Sequence, residues 1–78
     1  MCAEFDALVV ELKQVQAKSD LAWAELHRLM GEAHDAFEDD AEFDRLHQAM
    51  DKKQAEIDTL AKTERSIAAQ MDQLVEAA

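Results

Sequence analysis

The sequence predicts an all-α fold: an antiparallel helical hairpin of two long heptad-patterned helices that pairs with a second copy into a four-helix bundle. Three observations carry this expectation. Two apolar seams, stepping alternately by three and four residues, flank one acidic turn. The chain has no Pro and a single Gly. Its apolar content of 49% includes only 5% aromatic residues, a composition of long helices rather than of sheets joined by turns. Its 78 residues allow one domain over 1–78, with helix one over about 3–36, the turn over about 37–41 and helix two over about 40–77. A chain of that size rarely gains more than ~3 to 5 kcal/mol from its own core, so help from a partner chain is expected.

Helix one follows from Phe5, Leu8, Leu12, Val15, Ser19, Ala22, Leu26, Leu29, Ala33 and Ala36, which hold one stripe toward a neighbour. Gly31 falls on the outer side, where it costs roughly 1 kcal/mol relative to Ala without touching the seam. In the turn, Asp39 is placed to cap helix two, with Glu42 reaching back in a capping box. Helix two follows from Phe43, Leu46, Met50, Lys53, Ile57, Leu60, Glu64, Ile67, Met71, Leu74 and Ala78. In an antiparallel pair, only one of the registers open to these seams puts the bend between Asp39 and Asp40. That register layers Ala36 with Phe43, Ala33 with Leu46, Leu29 with Met50, Ala22 with Ile57, Ser19 with Leu60, Leu12 with Ile67 and Phe5 with Leu74. Small residues thus oppose large ones, as close packing requires.

The seams are wider than two helices need. Beside helix one's seam lie Val9, Gln16, Trp23, Met30 and Phe37, and beside helix two's lie His47, Gln54, Ala61, Ala68 and Val75. A stripe of that width suits a helix with more than one neighbour. Val9, Trp23, Met30 and Phe37 are therefore the expected protein interface. Lys53 and Glu64 join them as the charged seam residues, expected to meet across a two-fold dimer as a register device. The alternative is that Lys53 reaches out to water and Glu64 sits in a wet layer.

Charge is concentrated. Of the net −10, half lies in residues 37 to 44, which hold five acids and no base: Glu38, Asp39, Asp40, Glu42 and Asp44. Part of this acidic pole serves the cap and the helix dipole; the rest is a candidate binding site for a basic protein partner. Direct binding to nucleic acid or to an anionic membrane is disfavoured, because phosphate contacts need clustered Lys and Arg. Two such poles side by side would repel, so the turns of a dimer are expected at opposite ends.

No cofactor is expected. The lone Cys2 closes no disulfide within the chain, and no Cys/His spacing fits zinc. His34 and His47 lie close across the hairpin, with Asp44 and Asp51 flanking His47, but His27 and His34 point outward and no inward Glu-x-x-His set is present. No phosphate loop, nucleophile elbow or base-and-orienter arrangement appears around Ser19, Ser66 or Cys2. No signal peptide or membrane span is legible, which points to the cytoplasm. The expected function is a non-enzymatic interaction module, a homodimerising acidic hairpin that binds another protein. Two alternatives are an acidic inhibitor or nucleic-acid mimic of phage or mobile-element type, blocking a basic host protein, and an adaptor or chaperone-like subunit that completes a heteromeric bundle.

Overall fold

Long runs of residues with high helix propensity, uninterrupted by Pro, form two helices in the computed structural model, which describes residues 3–77. They are α1, Ala3–Asp35, and α2, Asp40–Ala77. Cys2 and the seam residue Ala78 lie outside the described residues. Glu4 and Asp6 in the first turn of α1, and Asp40 and Glu42 in the first turn of α2, suit the positive ends of the helix dipoles.

The link is short and its backbone groups are accounted for. Ala36 N–H donates to Glu32 O at 3.0 Å, the last bond of α1's helical ladder, and Asp39 N–H donates to Ala36 O at 2.9 Å to reverse the chain. Asp39 then caps α2: Phe43 N–H donates to its carbonyl at 2.8 Å and Glu42 N–H to its Oδ1 at 3.2 Å. Glu42 does not complete the capping box, because its carboxylate accepts from Arg45, with Arg45 Nε at 3.0 Å from Oε2. Among the described residues no backbone torsion is left-handed, so α1 ends without the glycine that often follows a helix. Gly31 is helical, and a methyl group there would meet nothing within 4 Å. Its cost of about 1 kcal/mol relative to Ala is therefore uncompensated.

The expected register holds. Ala22, Leu26 and Ile57 form one buried cluster with Met50 and Leu60 against it. Leu29, Ala33 and Leu46 form the next, with Ala36, Phe43, Ala49 and Met50 around them. Ala33 thus packs with Leu46 and Ala22 with Ile57, small against large. Toward the open end only Ile67 is buried, while Phe5, Leu8, Leu12, Val15, Met71 and Leu74 are half-buried. Every described seam residue is at least half-buried, including Ser19, Lys53 and Glu64.

The hairpin is a rod of 59 × 14 × 11 Å with a radius of gyration of 17.6 Å. A compact domain of this length would have a radius of about 11.5 Å. Two helices provide each other with one covered stripe and leave the rest of their circumference open.

Candidate interaction surface

The seam divides the rod into two long faces, and its two charged residues open onto different ones. On the first face Gln16, Ser19, Asp20 and Trp23 of α1 and Glu64 of α2 line a groove of about 360 Å³. Ser19 is small, and its layer partner Leu60 lines the groove on the opposite face. On the opposite face Lys18, Leu21, Ala22 and Glu25 of α1 face Lys53, Glu56 and Leu60 of α2 across a second groove of about 410 Å³. There Lys53 lays its stem along the seam and its Nζ donates to Glu56 Oε2 at 2.7 Å, with 26% of the side chain exposed. Within the single chain Lys53 thus reaches outward to Glu56, while Glu64 lines the groove on the first face.

The first face carries the exposed apolar residues expected of it. Trp23 is 43% exposed, Met30 48% and Phe37 66%; Val9 is half-buried. Phe37 keeps the phase of helix one's outer stripe but lies in the turn, within the expected 37–41 span, and is the most exposed of the four. The Trp23 and His27 rings lie 6.0 Å apart at 46°, and Phe43 and His47 lie 4.7 Å apart at 45°, both tilted stacks of residues one helical turn apart. His27 and His47 are thereby aromatic neighbours of this face. Leu21, on the opposite face, is 73% exposed and was not singled out from the heptad pattern. Its only sequence signal is an apolar residue off the stripe between Lys18 and Glu25.

Surface charge is organised along each helix. Arg28 lies between Glu25 and Glu32, its Nε donating to Glu25 Oε2 at 3.0 Å and its Nη1 lying 3.0 Å from Glu32 Oε2. Hydrogen bonding from Arg28 holds the Glu25 carboxyl below its ordinary value, and Arg45 does the same to Glu42. Carboxyls lowered in this way stabilise the fold above their unfolded-state values, and that contribution is lost as pH falls through the folded ones. All four groups are in water, so these pairs steer side chains more than they hold the fold.

At the acidic pole, Asp39 is engaged by the cap and Glu42 by Arg45. Among the described residues no ion pair reaches Glu38, Asp40 or Asp44. Those three exposed carboxylates at one tip of a 59 Å rod are the part of the pole open to a partner.

Several further polar side chains bond within their own helix. Thr59 and Thr63 hydroxyls donate to the carbonyls of Ala55 and Thr59, and Gln70 Nε2 donates to Ser66 Oγ at 3.4 Å. No group of three His, Cys, Asp or Glu among the described residues is placed to hold a metal ion, the His34 and His47 region included. No described helix is long and apolar enough to cross a membrane. At the open end Glu4, Ala7, Leu8, Gln70, Gln73, Leu74 and Ala77 line a shallow groove of about 560 Å³ where the helix ends meet. No family model, curated protein or solved structure matches this chain.

Proposed function

We propose that this chain is a non-enzymatic protein-interaction module whose first partner is a second copy of itself, and which presents acidic ends to a further protein. One observation supports this reading above the others: the accessible surface of 5844 Å² is large for an 8.8 kDa chain. A compact protein of that mass exposes about 4,800 Å². The excess, on the order of 1,000 Å², is close to the ~800 Å² that each side buries in a standard protein interface. The first face, with Val9, Trp23, Met30, Phe37 and Glu64, is the surface offered for it; within one chain Lys53 pairs with Glu56 on the opposite face. The acidic turns lie at opposite ends of the dimer, since bringing ten like charges to one pole is unfavourable. Work of this kind is expected in the cytoplasm.

Light scattering after size exclusion at micromolar concentration tests the reading. The expected mass is twice the 8.8 kDa chain, falling toward the single chain on dilution. A single-chain mass at every concentration would remove the homodimer and leave the adaptor that completes its bundle with another protein. Glu38, Asp40 and Asp44, free of ion pairs among the described residues, favour a second reading in which the turn occupies a basic groove on a nucleic-acid-binding protein. Binding to such a partner would weaken steeply with added salt, whereas the apolar self-association would not.

A further inference from the structure

We infer that in the homodimer the Trp23 indole of each copy seats in the other copy's groove between Gln16, Ser19, Asp20 and Glu64, where its N–H donates to the Glu64 carboxylate. This rests on the homodimer reading and specifies its register and contacts.

Two unmet groups lie on one face. Trp23 Nε1–H and the Glu64 carboxylate take no part in the side-chain hydrogen bonds among the described residues. An indole is donor-only and a carboxylate acceptor-only, so each suits the other. Within one chain Trp23 lines the groove and keeps 43% of its surface exposed. The only Lys on the seam, Lys53, is already held by Glu56 on the opposite face. The groove, about 360 Å³, has room for an indole.

Symmetry brings the two groups together. When two hairpins pack through the same face with turns at opposite ends, each helix lies antiparallel to its own copy. A two-fold axis crossing α1 between Ser19 and Asp20 sets Trp23 over Gln16 of the other copy and Met30 over its Val9. At that level, by the hairpin register of Ala22 with Ile57 and Ala33 with Leu46, the same axis crosses α2 between Thr59 and Leu60. Each match puts a larger residue on a smaller one, because the bulky side chains of this face sit in the turn half and the small ones in the open half. The axis also lowers Trp23 into the span of Gln16 to Asp20, beside Glu64. An aromatic anchor filling a facing pocket is the usual centre of binding energy in an interface.

The register makes an unusual demand on charge. It brings the two Asp20 carboxylates face to face at the axis, whereas Glu64 accepts a hydrogen bond. Neutralising these two acids should therefore act in opposite directions. Glu64→Gln is expected to weaken the dimer at least about tenfold, the loss of a hydrogen bond to a charged acceptor. Asp20→Asn is expected to tighten it. Relief of the chain's general negative charge would tighten both.

The chain has a single Trp, so fluorescence reports Trp23 alone. Acrylamide quenching and light scattering are followed through one dilution series of the full chain and of both variants, with circular dichroism confirming helicity. The seat requires a dimer in which quenching falls several-fold relative to the diluted monomer, with the two variants shifting dissociation in opposite directions. A dimer whose Trp23 stays as open to quencher as in the monomer overturns the seat and leaves the homodimer standing. So does equal tightening by both variants. A monomer at every concentration overturns the homodimer reading itself, and the seat with it.

Discussion

Leu46→Ala should leave the chain largely without its hairpin structure at room temperature under dilute conditions. Leu46 is the most deeply covered residue described, 2% exposed, and it holds Ala33 and Leu29 together beside the turn. Truncating a buried Leu costs ~2 to 5 kcal/mol, through lost burial and the cavity left behind. The whole fold of a chain this size is worth ~3 to 5 kcal/mol without a partner, so one substitution removes most of it. The facing residue, Ala33, is already small and cannot move in to fill the space. Thermal melts followed by circular dichroism check this against Leu74→Ala, a truncation in the half-buried open end. If the two variants melt together, the stability is spread evenly along the rod and the account of a core gathered near the turn fails.

Trp23→Glu combined with Met30→Glu should abolish self-association, raising the dissociation constant by a hundredfold or more. The two residues lie one heptad apart on the first face, about 10.5 Å along α1. Both are 43% exposed or more, so the hairpin itself loses little when they become polar. The dimer loses an aromatic anchor on each side, each typically worth ~2 kcal/mol or more, and gains four carboxylates in a desolvated patch. Sedimentation equilibrium gives the mass, and helicity at low concentration gives the control. A double variant that still associates like the parent would move the interface to the opposite face, where Leu21 is the exposed apolar residue.

What the sequence made legible is what periodicity controls. A 3.5-residue repeat fixes which side chains face a neighbouring helix, and the acidic turn then fixes the register, so the layers around Ala33, Leu46, Ala22 and Ile57 could be written down before any coordinates. Asp39 was legible for the same reason: its cap depends only on local spacing. Choices among nearby partners were not. Lys53 has a long stem and can leave the seam on either side; within one chain Glu56, one turn away, draws it to the opposite face. Glu42 could have reached back to the cap, but Arg45 offers two donors where the backbone offers one. Helix ends resist reading as well: α1 stops at Asp35, and Ala36, which keeps the heptad phase, already lies in the turn. The groove beside Trp23 was visible only as the pairing of a small Ser19 with an acidic Glu64 nearby, which periodicity alone does not mark as a space.

The crowding of buried residues near the turn has a kinetic consequence. Ala36 and Phe43 close a loop of a few residues, Ala33 and Leu46 a slightly longer one, and each further layer adds only to the pair already joined. Loop-closure entropy is smallest where the best contacts are, and each step outward costs little more. A chain arranged in this way zips from Asp39 toward Ala3 and Ala77 and opens in the reverse order. Amide exchange should therefore slow progressively along α1 from Phe5 to Ala33, rather than proceed at one rate through the helix. A uniform exchange rate would mean that the rod opens all at once.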